Sequence, residues 1–195
     1  MSTPVLTPRA AREQHTFRSL LDTMARPGTV ARADHHPQAG RLAPAVSLLE
    51  SVLDHEVTFA VVPEQADLID TLLRLTGSYV AAPDEADYLL CEGGGILRAL
   101  RDAKEGAPEF PDKSATLIAA VASVSTEPGR GLPLRLAGPG IKDTRTVWVD
   151  GLSQECRETF VERNGDLPTG IDLVLVDPDG AFTCLTRYTR LLMED

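Results

Sequence analysis

Lysine is scarce: Lys104, Lys113 and Lys142 are the only lysines, and every other base is an arginine. Chemistry that needs a lysine nucleophile, such as Schiff-base formation, therefore has few places to occur. Cysteine is equally sparse. Cys91, Cys156 and Cys184 are odd in number, far apart and free of any C-x-x-C spacing, which argues against a disulfide framework and for reduced thiols in a cytoplasm. Basic charge is short as well. Nineteen bases face 29 acids, and a formal net charge of -10 repels nucleic-acid phosphates and anionic lipid headgroups. Neither nucleic acid nor membrane is expected as a partner. No run approaches the ~18 apolar residues of a membrane span, and no basic stretch leads into an apolar leader.

What remains is the composition of an ordinary globular chain. With 195 residues, 43% of them hydrophobic, it can bury a core large enough to need no disulfide or structural metal. We expect a single domain over residues 1–195, opened by a short polar arm at 1–7. No repeat or low-complexity segment interrupts it.

Thr7-Pro8 has the chemistry of an N-cap and first helical position. Phe17, Leu20, Leu21 and Met24 follow at i, i+3, i+4 and i+7, predicting a helix with one apolar face, stopped by Pro27-Gly28. Val46, Leu49 and Leu53 after Pro44 suggest a second helix; Leu68, Ile69, Leu72 and Leu75 suggest a third, ended by Gly77 in a left-handed cap. Val57 to Val62 is a nearly continuous apolar run and reads as a strand covered on both faces. Tyr79 to Ala82 and Tyr88 to Leu90 are further short strands, and Gly93-Gly94-Gly95 leads into a helix over Ile96 to Lys104. Ala115 to Val124 is the best candidate for a central strand. Strands are expected at Leu132 to Ala137 and Val147 to Val149, then a helix at Leu152 to Arg163 closed by Asn164-Gly165. Ile171 to Val176 and Ala181 to Leu185 flank Asp177-Pro178-Asp179-Gly180 and predict a hairpin. The fold class is α/β, a mixed sheet layered with helices.

Strings that carry chemistry are mostly missing. There is no G-x-x-x-x-G-K-[ST] phosphate loop, no G-x-G-x-x-G and no G-x-S-x-G elbow; Gly93-Gly94-Gly95 and Gly138-Pro139-Gly140 read as turns. Asp34-His35-His36 has metal-ligand residue types, but adjacent side chains diverge and Pro37 follows, so it reads as a polar loop and no metal is assigned. Cys91, after Leu89-Leu90, reads as a buried small hydrophobe.

Four residues stand as weak ligand-binding candidates. His15 and Arg18 lie three apart on the first helix, where they can grip an anion together, or His15 can serve a local hydrogen bond. Arg135 offers a guanidinium for a phosphate or phosphonate. Asp172 sits inside an apolar strand, where a carboxylate must reach solvent or find a cation or N–H partner. No catalytic residue is assigned.

Five strings, in order, resemble one family. They are His15-Thr16-Phe17-Arg18-Ser19-Leu20-Leu21 with Met24 and Pro27-Gly28; Thr76-Gly77-Ser78-Tyr79-Val80; Pro108 through Ile118; Leu136-Ala137-Gly138-Pro139-Gly140-Ile141; and Leu167-Pro168-Thr169-Gly170-Ile171-Asp172-Leu173. Over about residues 12 to 185 the chain resembles the PhnH family, departing from it at Ser114, where glycine is expected, and at Leu167 and Thr169, where bulkier apolar residues are. The resemblance implies the H subunit of the carbon–phosphorus lyase core complex, acting with the G, I and L subunits as an α-D-ribose 1-methylphosphonate 5-triphosphate synthase. It implies the G, I and J subunits as partners with L and K associated, a homodimer in isolation, and a fold related to pyridoxal-phosphate-dependent transferases but without the cofactor site. The residues point the same way on cofactors: Lys104 on a solvent helix and Lys113 and Lys142 in polar loops are poor Schiff-base candidates, and none is assigned.

Overall fold

The computed structural model describes residues 7–36 and 39–192. Five α-helices run in chain order: α1 (Pro8–Ala25), α2 (Ala43–Glu50), α3 (Ala66–Thr76), α4 (Gly95–Asp102) and α5 (Gln154–Arg163). The strands are β1 (Ala31–Arg32), β2 (Thr58–Val62), β3 (Tyr79–Val80), β4 (Tyr88–Glu92), β5 (Thr116–Ala120), β6 (Ser123–Ser125), β7 (Leu132–Ala137), β8 (Arg145–Asp150), β9 (Asp172–Val176), β10 (Ala181–Leu185) and β11 (Arg190–Leu192). The expected arm at residues 1–7 falls outside the described residues except for Thr7, whose hydroxyl accepts from the Ala10 N–H at 3.2 Å and caps α1.

A seven-stranded mixed sheet, in the order β1-β10-β9-β5-β4-β2-β3, forms the centre. Its middle strands are parallel, and the β9–β10 hairpin and β1 add an antiparallel edge. Period-two alternation splits the apolar strands between two cores. Leu90, Ile118, Val174 and Phe182 face α1, α2 and α3; Leu89, Leu117 and Leu173 face α4 and α5. Each such leucine or isoleucine contributes on the order of 2 kcal/mol by leaving water.

The second core has a further lid, a four-stranded antiparallel sheet in the order β11-β7-β8-β6. This sheet corrects the reading of Ala115 to Val124 as one strand. The chain pairs with β9 through Ala120, Val121 N–H still donates to Val176 O at 2.9 Å, and the next amide, Ala122, donates to Asp150 O at 2.8 Å in the second sheet. The apolar run is continuous because both sheets bury the same core, yet its backbone bonds are shared between them. Gly151, at φ +91°, allows the crossing, since a Cβ there would lie 2.8 Å from Ala122 N.

The apolar face expected on α1 is rotated. Leu20 is buried as expected, but Phe17 and Leu21 are exposed and Thr16 and Thr23 are buried in their place. Thr23 is tolerated because its hydroxyl donates back to Leu20 O at 2.9 Å. Among the described residues no helix is long and apolar enough to cross a membrane.

Candidate functional site

Asp172 begins β9 beside the parallel strand β5, and its carboxylate is almost buried. It finds both kinds of partner that such a group requires. Oδ1 accepts the Arg187 backbone N–H at 2.8 Å and Oδ2 accepts Arg187 Nη2 at 2.8 Å. The guanidinium also donates through Nη1 to Pro111 O, so one arginine ties β9 to the turn after β10 and to the loop before β5. Side-chain exposures of 12% and 13% make this a nearly buried clamp, with one guanidinium bond and one backbone bond to the carboxylate, rather than a surface ion pair.

The clamp floors a groove. On one side Met24, Ala25, Pro111, Asp112, Pro139 and Tyr188 enclose about 460 Å³. On the other, Val161, Asn164, Leu167, Tyr188, Arg190 and Leu192 enclose about 580 Å³. Tyr188 stands between them, 44% exposed, and Leu167 at 55% and Val161 at 40% form an apolar rim. Volumes of this order suit a small ligand or a partner's side chains. Glycine lets the walls close in: Gly140, at φ +78°, packs so tightly on the end of α1 that a Cβ would lie 2.1 Å from Ala25 O. Four of the five strings that resemble the PhnH family therefore converge here, contributing Met24, Pro111, Gly140 and Asp172.

The other candidates lie apart from the clamp. His15 Nδ1 approaches Asp34 Oδ2 at 3.4 Å, so a carboxylate, not an open anion site, faces this ring. Arg18 is exposed on α1 and Arg135 is exposed on β7, each without a partner among the described residues. Asp34, His35 and His36 diverge, since His35 Nε2 lies 3.0 Å from Pro178 O while His36 is buried, so only part of this loop faces solvent. Among the described residues no histidine, cysteine and carboxylate group clusters as a metal site. Lys104 is not on a solvent helix but just beyond α4, where Nζ pairs with Asp87 Oδ1 at 2.6 Å.

Sequence reasoning missed Arg187 and Tyr188. The signal was Asp172 itself, which demanded a cation without naming it. Cys91 and Cys184 are buried as read, and burial pushes the Cys184 thiol up to about 12 and the Cys91 thiol higher still. Asp87 moves the other way. Burial pushes its carboxyl up, but bonds from Lys104 and Thr58 outweigh that and hold it below the usual carboxylate value. None of these displaced groups lines the groove, and its walls hold no cysteine or histidine.

The fold is that of an α/β protein with a groove on its surface beside the Asp172–Arg187 pair. The family is set by sequence comparison: residues 4–192 match the bacterial phosphonate metabolism protein PhnH, and the chain belongs to that family. It is 31% identical over 188 residues to a Rhizobium meliloti (strain 1021) protein named α-D-ribose 1-methylphosphonate 5-triphosphate synthase subunit PhnH, covering 93% of this chain and 90% of the relative. It is also 31% identical over 168 residues to a Stutzerimonas stutzeri protein named putative C-P lyase subunit protein HtxG, covering 86% of this chain and 80% of that one.

Proposed function

We propose that the chain is an assembly subunit of the carbon–phosphorus lyase core complex, contributing to α-D-ribose 1-methylphosphonate 5-triphosphate synthase activity beside the G, I and L subunits. It works in the cytoplasm, has no activity of its own, and docks on the G, I and J subunits, with K associated. The observation that carries this reading is the groove. Its one buried ion pair is spent internally on Asp172, Arg187 and Pro111, while its rim presents exposed Tyr188, Leu167 and Val161. Exposed aromatic and aliphatic side chains around a preformed depression are what a protein interface needs. When alone the chain pairs with itself, a reading supported by Phe17 and Leu21, exposed one turn apart on α1. The fold is read as a pyridoxal-phosphate transferase fold that has lost its cofactor site, and the lysines support this: Lys104 is held by Asp87, while Lys113 and Lys142 are exposed.

Co-expression with the G, I and J subunits tests the reading. The wild-type chain co-purifies with them and Leu167→Asp does not, although it folds. Failure of the wild-type chain to co-purify, with growth on phosphonate surviving its deletion, would refute it.

A second reading has Arg18 and Arg135 holding a triphosphate or phosphonate, favoured by their exposure without partners among the described residues. Arg18→Ala and Arg135→Ala variants that assemble yet keep full synthase activity would remove it.

A further inference from the structure

The outer face of the four-stranded sheet faces solvent. Burial alternates along β7 and β8, so Leu134, Leu136, Val147 and Val149 point into the core while Pro133, Arg135, Thr146 and Trp148 point away. Register sets the neighbours on that face. Arg135 lies opposite Thr146, Pro133 opposite Trp148, and Arg190 opposite Ala137. Trp148 and Arg190 are thus each diagonal to Arg135 but on opposite sides of it, so the chain's single tryptophan neighbours Arg135 while Leu192 stands directly opposite that arginine and Arg190 flanks it on β11.

Several arginines meet carboxylates, as Arg26 meets Asp22, Arg41 meets Glu92, Arg101 meets Glu155 and Arg163 meets Glu105, while others such as Arg18 and Arg74 meet none among the described residues. What sets Arg135 and Arg190 apart is that they share one sheet face, diagonal to each other across β7 and β11. Arg135 and Arg190 are exposed and meet none among the described residues, although acids outnumber bases 29 to 19. On this face the strands supply one carboxylate, Asp150, at the β6 end. Arg190 also lines the groove, so the basic face continues directly from the apolar rim.

We infer that this face receives an acidic segment of a partner protein, whose carboxylates pair with Arg135 and Arg190 and whose backbone or apolar groups cover Trp148. Charge complementarity selects that occupant. A second copy of this chain meeting the face about a two-fold axis would bring like guanidiniums together. Nucleic acid would meet the repulsion of a surface with formal net charge -10. Arginine and tryptophan are the residue types that carry most interface energy, and flanking charges act chiefly on the rate of encounter. The inference rests on the assembly reading and specifies the chemistry of the partner: carboxylates beside an apolar ridge.

The experiment measures association of the full chain with the co-expressed G–I–J complex as salt is raised. Arg135→Glu and Arg190→Glu each slow association about tenfold at low salt and flatten its salt dependence. Arg74→Glu, the same charge change on exposed α3, leaves both near wild type. Wild-type rates and salt dependence in the Arg135→Glu and Arg190→Glu variants, with Leu167→Asp still abolishing assembly, overturn this inference and leave the assembly reading standing. Trp148 emission in the isolated chain provides a second arm. Inorganic triphosphate leaves it unchanged if the face is a protein-docking surface, whereas saturable quenching lost in Arg135→Glu would make the face a small-anion site and overturn the inference.

Discussion

Removing the Asp172 carboxylate isolates the clamp's contribution. In Asp172→Ala, Arg187 loses the acceptors for its backbone N–H and Nη2, and a guanidinium only 12% exposed keeps Pro111 O as its remaining partner. Breaking a fully buried pair from one side costs about 3–5 kcal/mol. The groove admits some water to this pair, so the lower end applies, about 3 kcal/mol. Asp172→Asn keeps a neutral acceptor for the Arg187 N–H and loses the charge, costing about 1.5–2 kcal/mol. Arg187→Met strands the carboxylate in turn, and the double variant Asp172→Asn/Arg187→Met is destabilised by clearly less than the two single changes added together. Urea unfolding reads all four species. Against a total stability of about 5–15 kcal/mol, a loss of 3 moves the midpoint by roughly 1 M or more. A cost below about 1 kcal/mol for Asp172→Ala, or strict additivity in the double variant, would show that the clamp does not hold the groove floor.

Asp87 gives a pH signature. Its folded-state pKa is lowered below 3.8, so its contribution is present above the unfolded value and is lost as pH falls through the folded one. Asp87→Asn therefore unfolds more easily than wild type at pH 7, and the gap closes in acid below pH 3.8; an equal gap throughout would contradict the assignment. The thiols give a reactivity signature. Cys91, Cys156 and Cys184 are all buried, and a thiol reagent at pH 8 labels none in the native chain and all three in denaturant. Rapid native labelling would place at least one of them at the surface.

Local signals carried much of the fold. The Asp177 to Gly180 turn, the Thr7 cap and the left-handed Gly77 each satisfy a backbone requirement within a few residues, and each element they bound is where the sequence puts it. What was illegible depends on distant chain. β1 and β11 have two and three residues, too few for a period, and exist because β10 and β7 offer free edges. On α1 the 3.6-residue period gave a stripe, but which edge of it faces the sheet was decided by packing against α2 and β10, leaving Phe17 outside. The site divided in the same way. Asp172 was visible as an anomaly in an apolar run, whereas Arg187 lies fifteen residues on and is joined to it only by the β9–β10 pairing. The rim of Tyr188, Leu167 and Val161 left no mark, because exposed apolar side chains are common in any surface and only their assembly in space sets these apart.

The passage of one chain segment through both sheets makes them a single folding unit. Residues 116–120 are stitched into the large sheet and 123–125 into the small one, and Asp177, at the head of the hairpin turn, reaches across to accept the Val124 N–H at 3.1 Å. Neither sheet can open without pulling on the other's hydrogen bonds. The small sheet, whose outer face and groove carry the proposed contacts with other subunits, is thereby held in shape before any partner arrives. In the proposed docking a partner meets a surface already formed, and the entropy of ordering it is met by folding of the chain itself rather than drawn from the binding energy.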